Sequence, residues 1–357
     1  QRRRAVTIEP DPHLAHLQRH IAVPIHGGYV SGVSIYQTPA RTFAIVGAGL
    51  AGLACADQLA AAGHHVTLFD KARGPGGRMA TRRMPTGLGD ASFDHGAQYF
   101  TARSPEFRAL VARWEALGLA ARWPEAGADA WVGVPSMNAP VKNMAAAHDV
   151  HWSARVDALL RDAAGWSLQG EGLSGQYFDT VVIALPAEQA AVLLEPWDAA
   201  MAQQAAATRS DPCWTAMIAL AGTLPTGSMT LRDCGPIAWA ACNSSKPGRT
   251  GPQSWVIQAT PAWSHEHLEA DATWVTQALL SGLADCLQIA IPDPVCATSH
   301  RWRYARSGAH GAGLLHNPAL DLGVCGDWLI RPRVESAWQS GTLLGERLSG
   351  QKALDHL

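Results

Sequence analysis

Charge is scarce in this chain of 357 residues: Asp, Glu, Lys and Arg make up 16% of it, against about 25% in an ordinary soluble domain. With a formal net charge of −2 there is no basic surplus to neutralise a phosphate backbone, which excludes nucleic acid as a partner. Lysine is rarest, at positions 71, 142, 246 and 352 only. No run reaches the roughly 18 to 20 apolar residues of a membrane span, so no membrane partner is expected. Cysteine is sparse and poorly spaced for chemistry: Cys55, Cys213, Cys234, Cys242, Cys286, Cys296 and Cys325 are odd in number and contain no Cys-x-x-Cys. That pattern excludes a disulfide scaffold and a zinc ribbon, and predicts buried or half-buried free thiols in a reducing, cytoplasmic setting.

Residues 1–40 differ from the rest. Arg2-Arg3-Arg4 is followed by Pro10, Pro12 and Pro24, and the apolar stretch from His20 to His26 is broken by Pro24. No signal-peptide core results, and the segment reads as a mobile extension. His13, His16 and His20 share a helical face, a spacing that alone assigns no metal.

Order begins at Arg41. Thr42 to Val46 is a short apolar run read as a buried parallel strand, Leu50 to Ala62 an Ala/Leu-rich helix stopped by Gly63, and Val66 to Asp70 a second strand. Between strand and helix stands Gly47-Ala48-Gly49-Leu50-Ala51-Gly52. In a βαβ unit these glycines have separate tasks: a tight turn at Gly47, close approach of a pyrophosphate at Gly49, and close helix–strand packing at Gly52. Asp70, 18 positions after Gly52, stands where a carboxylate accepts ribose hydroxyls. Gly170-Glu171-Gly172-Leu173-Ser174-Gly175 fits the same pattern, but lies between strands with no helix behind it and is read as a turn.

Two further segments extend the pattern. Arg73-Gly74-Pro75-Gly76-Gly77-Arg78-Met79 is a glycine turn whose arginines can fold over a pyrophosphate. Near the C-terminus, Gly326-Asp327-Trp328 follows a strand and precedes a helix from about Val334, whose positive end would suit a site where negative charge gathers. Further strands are expected at 150–185, 213–221, 237–242 and 255–260, with helices at 106–118 and from Trp263 to Leu287. His265-Glu266-His267 is read as solvated rather than metal-binding, and no activated Ser or Cys nucleophile is found.

Residues 41–350 resemble the renalase family, within the FAD-dependent amine-oxidase-like flavoproteins. The resemblance rests on Gly77-Arg78-Met79, Asp94-His95-Gly96-Ala97-Gln98-Tyr99-Phe100-Thr101, Trp239 to Arg249, His300 to Ala305, and Gly326 to Gly341. It implies an α/β fold in which a Rossmann-type FAD-binding domain (41–100, 130–186 and 297–350) is interleaved with an α+β substrate domain (101–129 and 187–296), as in p-hydroxybenzoate hydroxylase. FAD is then expected on Gly47, Gly49, Ala51, Gly52, Asp70, Lys71, Gly77, Arg78, Met79, Gln98, Val156, Gly326, Asp327, Val334 and Glu335. Substrate is expected near Gln98, Tyr99, Phe100, Thr101, Asn243, Trp302 and Arg333. Gln258 stands where many relatives carry His; it keeps hydrogen bonding without a titrating group.

The activity so implied is oxidation of isomeric dihydro-NAD(P) to NAD(P)+, with hydride passing to flavin N5 and O2 yielding H2O2. Lysine scarcity agrees. A dihydropyridine loses hydride without needing a base, and Lys71, Lys142, Lys246 (in a Pro/Gly loop) and Lys352 offer no evident amine at the flavin. An amine oxidase and a non-catalytic FAD- or NAD-binding regulator are the alternatives.

Overall fold

The computed structural model describes residues 39–173 and 175–350. Residues 1–38 of the extension, with His13, His16 and His20, and Lys352 lie outside the described residues. Two sheets dominate. The first has six strands in the order Leu315–Asn317, Leu322–Val324, Thr180–Ile183, Thr42–Val46 (β1), His65–Asp70 (β2) and Asp149–Trp152. All neighbours are parallel except the first pair. Phe43, Ala44 and Ile45 of β1 are fully buried, as a strand covered on both faces requires. Helix α1 (Leu50–Ala61) ends as Gly63 turns back with φ +86°.

The second sheet is antiparallel, ordered Thr230–Cys234, Ile237–Cys242, Gln253–Ala259, Asp211–Leu220 and Cys296–Arg306. Its alternating residues face two ways. Trp214, Ala216, Ile218, Trp255 and Ile257 pack with Val275, Leu279 and Leu283 of the helix Ala272–Leu287. On the other face, Met217, Ala219 and Val256 pack with Ala91 and Phe93 of the hairpin Thr81–Met84/Ala91–Asp94.

Three expectations need correction. Strand Cys296–Arg306 pairs within the antiparallel sheet, so the boundary drawn at 297 falls inside that sheet; the strand's length hid which sheet it served. The helix expected from Trp263 to Leu287 is two, Pro261–Glu266 and Ala272–Leu287. Asp271 accepts the Thr273 and Trp274 N–H groups and caps the second. Cys234 and Cys286 are not free thiols but form a disulfide, Cα–Cα 6.0 Å. It joins a strand end to a helix end 52 positions away, a proximity no local spacing announces. The Gly170 repeat is indeed a turn: an added Cβ there would stand 1.8 Å from Arg155 O.

Candidate active site

The glycines of the first turn divide by what surrounds them. An added Cβ would stand 2.5 Å from Ala184 O at Gly47 (φ +106°) and 2.0 Å from Gly47 O at Gly52, so packing alone demands both. At Gly49 nothing lies within 4 Å. Packing leaves that position open, and the N-terminal amides of α1 stay approachable by a phosphate. Gly77 closes in from the second glycine turn, where an added Cβ would be 3.7 Å from Gly49 Cα. Asp70 accepts the N–H groups of Ala48 and Ala72, both at 2.8 Å, one on each oxygen. Each oxygen keeps a lone pair for a ribose hydroxyl.

Arg78 and Asp327, 249 positions apart, form a two-pronged ion pair at 2.9 and 2.6 Å. Beside it the C-terminal helix Val334–Leu348 runs along α1 in the same direction. Gly341 meets Ala51 O and Gly345 meets Cys55 O, at positions where a Cβ would come to 2.0 and 2.9 Å. Gly341 is seven residues into its helix and Ala51 one into α1, so the C-terminal helix overhangs α1 by about 9 Å. Two positive helix ends in series suit a long, negatively polarised dinucleotide. Open space at Gly49, free lone pairs on Asp70 and these aligned helix ends fit FAD.

Other expected FAD residues lie around this cradle. Met79 is buried in the core, Lys71 donates to Gln189 at 3.3 Å on the surface, and Val156 lies in the loop between strands Asp149–Trp152 and Ala158–Asp162. Gly326 N–H donates to Ser340 at 3.0 Å, tying the Asp327 turn to the C-terminal helix. Val334 opens that helix. Glu335 is buried, and its carboxylate accepts the N–H groups of Arg103 (3.1 Å) and Ser104 (2.6 Å). It fixes a loop on the helix start. Arg333 stands at the N-cap position of the same helix without a side-chain bond to its amides; burial, then Arg103 and Arg331, lower its pKa.

The expected substrate residues do something more specific than line a pocket. Asn243 donates to Ser92 O (2.8 Å), Trp302 Nε1 to His95 O (2.8 Å), and Gln98 Nε2 to Asp94 O and to Gly96 O (3.2 Å). Gln258 joins them, donating to Gly96 O at 2.7 Å. Four side chains thus clamp the backbone from Ser92 to Gly96. The end of that segment in turn meets Arg78: Ala97 N–H donates to Arg78 O at 2.8 Å, and a Cβ at Gly96 would sit 2.0 Å from the same oxygen. Phe100 is buried against Phe107 and Trp114 as an ordinary core aromatic. Thr101 is half-buried in the loop that follows.

At the centre of the clamp lies a charge cluster that the sequence reading passed over. Asp94 is fully buried and accepts from Thr81 (2.7 Å), Met137 N–H (3.0 Å), Lys246 (3.1 Å) and Arg249 (2.5 Å). Burial pushes its carboxyl up, yet Lys246, Arg249 and Thr81 together hold it below the usual carboxylate range. Lys246 is not a solvated loop residue but fully enclosed. It donates to Asp94 and to Gln98 Oε1 (3.3 Å), with its Nζ 5.1 Å from the Trp123 ring centre. Burial pulls its pKa down to about 8, opposed by Asp94 and assisted by Arg249. A lone lysine in a lysine-poor chain, with an arginine three positions on, was the available signal.

Beyond the hairpin contact, the sheet's inner face carries the cross-strand row Trp239, Gln258, Thr215 and His300. Over it lies the His95–Tyr99 turn: Tyr99 tilts on Trp239 at 5.5 Å, and His95 stacks on Trp302 at 5.1 Å and meets His300 edge-on. Arg232 covers the Trp239 ring at 4.2 Å. Burial, then His300 and Arg82, lower the His95 pKa to about 4; burial, then Arg82, lower that of His300. Burial thus favours the neutral form of both imidazoles, and His95 Nδ1 has no hydrogen-bond partner.

Known proteins agree with this architecture. Residues 45–114 match the NAD(P)-binding Rossmann-like domain, and residues 124–343 the flavin containing amine oxidoreductase family. A candidate protoporphyrinogen oxidase from Exiguobacterium sp. 255-15 superposes with a TM-score of 0.69 at 13% identity, covering 88% of this chain and 100% of that one. Cyclohexylamine oxidase from Brevibacterium oxydans IH-35A gives 0.63 at 14%, covering 88% and 99%. At these identities the likeness is one of fold. A 39-residue stretch, 11% of this chain, is 60% identical to glutamate synthase [NADH] of Schizosaccharomyces pombe (strain 972 / ATCC 24843) but spans only 2% of that protein. Among the described residues no helix is long and apolar enough to cross a membrane. With the family match running over more than half of its length, the chain belongs to the flavin containing amine oxidoreductases and is an FAD-dependent oxidoreductase.

Proposed function

We propose that the protein oxidises isomeric (2- or 6-) dihydro-NAD(P) to NAD(P)+, as its resemblance to renalases implies. FAD, when bound, supplies the hydride acceptor at N5 and passes the electrons to O2 as H2O2. Asp70 would hold the ribose, and Arg78 with Asp327 the pyrophosphate and ribityl region. Tyr99, Trp239 and Trp302 would form a dry aromatic wall that positions a planar ring.

One observation carries the choice of substrate. Among the described residues, the sheet's inner face holds no free amine and no carboxylate to receive an alkylammonium ion. Lys246, the one lysine close by, has its three N–H directions spent on Asp94, Gln98 and the Trp123 face. Lys71 and Lys142 are exposed. The two imidazoles are weakened as bases, and Arg82 and Arg232 flank the face with positive charge. Amine oxidation needs a deprotonated amine, whereas a dihydropyridine yields its hydride directly and becomes aromatic.

Anaerobic mixing with partly isomerised NADH, followed at the flavin absorbance, tests this. Bleaching by the isomers and not by amines is expected. Bleaching by amines alone would establish the amine oxidase reading, and no bleaching by either the non-catalytic regulator. Arg78→Ala combined with Asp327→Ala should yield colourless protein; retained stoichiometric FAD would refute the cradle.

A further inference from the structure

Lys246 stands on the loop after strand Ile237–Cys242, yet its side chain has 0% exposure. Asp94 does not need it: Arg249, Thr81 and the Met137 N–H already satisfy that carboxylate. Lys246 therefore places a second buried cation on one buried anion, an arrangement whose desolvation works against folding. What Lys246 alone provides is its bond to Gln98 Oε1. The other end of that amide grips Asp94 O and Gly96 O, and the next N–H, that of Ala97, holds Arg78 O. Arg78 then pairs with Asp327.

We propose that Lys246 is a positioning residue for the cofactor site. Through Gln98 it fixes the Gly96–Gln98 turn against the Arg78 carbonyl, and it is kept there as a cation at a cost in folding stability. The charged or titratable groups facing it are Asp94, Arg249 and Cys242; Gln98 and Trp123 complete its surroundings. Because its folded pKa of about 8 lies below the ordinary 10.5, folding releases its proton between those values. Stability should then rise with pH across that window. Positioning should move the other way, since the neutral amine binds Gln98 and Asp94 less well. A residue present only to hold the fold together would not separate these two trends.

The test measures FAD dissociation constants by flavin fluorescence, together with Tm, from about pH 6.5 to 9.5. In the wild type, affinity should fall roughly tenfold as pH passes the lysine's pKa, the loss expected for one charged hydrogen bond, while Tm does not fall. Lys246→Met should bind FAD weakly at every pH, with Tm equal to or above that of the wild type. Lys246→Arg should bind tightly with no fall. If Lys246→Met lowers Tm together with affinity, the lysine is a structural ion pair and the proposal fails. It fails equally if that variant keeps wild-type affinity and its pH dependence. Gln98→Met supplies an independent arm: the double variant Lys246→Met/Gln98→Met should bind no more weakly than the weaker single variant, and additive losses would overturn the route through Gln98. The inference rests on the FAD site alone. Flavin that binds normally but is not bleached by dihydronicotinamides would refute the substrate reading and leave this one standing.

Discussion

The cofactor cradle and the clamp behind it are built from different materials. The cradle works through backbone: glycines that allow close approach, helix ends that supply amides, and one half-buried ion pair between Arg78 and Asp327. The clamp works through buried side chains gripping a backbone: Asn243, Gln98, Gln258 and Trp302 on residues 92–96, with Asp94, Lys246 and Arg249 inside. The cradle can therefore lose ligand binding without losing the fold. In the clamp the two are joined at Asp94, and Lys246 is the member at which they should separate.

The largest effect that would break this contrast is in the clamp. Asp94→Asn leaves Lys246 and Arg249 buried without their anion and should cost about 3–5 kcal/mol in urea unfolding; a loss below about 1 kcal/mol would mean the cluster is not the clamp's core. Next, the cradle's own glycines should separate. Gly52→Ala forces a Cβ to 2.0 Å from Gly47 O and should destabilise the apoprotein by about 2–3 kcal/mol. Gly49→Ala meets nothing within 4 Å, so its Tm should match the wild type while FAD affinity drops. Smaller still is a pH effect. His95 has a folded pKa of about 4 against an ordinary 6.5, so stability is fully present above pH 6.5 and is lost as pH falls toward 4. Unfolding at pH 4.5 and 7 should differ by about 1–2 kcal/mol more in the wild type than in His95→Phe. Smallest, Gln258→Met removes one bond to Gly96 O and should cost about 1 kcal/mol, with no change in the pH profile of turnover.

That same contrast explains what could be read from the residues alone. β1, α1, β2 and the C-terminal helix at Val334–Leu348 follow from periodicity and glycine placement, because a phosphate-binding turn is a local object of one strand, one turn and one helix. Asn243, Gln98 and Trp302 were visible as a pattern, but their hydrogen-bond partners were not. Those partners lie between 2 and 207 positions away, and a polar residue in a motif reads the same whether it touches a ligand or a backbone. Lys246 was hidden by its neighbours: Pro247 and Gly248 signal an exposed loop, while enclosure by Asp94, Gln98 and Trp123 depends on two other parts of the chain. Cys234 and Cys286 were missed for the same reason.

The pairing of Arg78 with Asp327 also bears on how the molecule is made. At ordinary synthesis rates the later residue is added roughly 10 to 50 s after the earlier one. The first glycine turn and its strands can form in that interval, but the arginine has no carboxylate to meet until the growing chain has passed its last strand, Leu322–Val324. A nascent chain stopped before residue 327 would hold every strand of the six-stranded sheet but lack the C-terminal helix, and would leave the Arg78 guanidinium without its carboxylate. The ion pair, and whatever is built around it, can therefore close only after Asp327 and the helix Val334–Leu348 have been made.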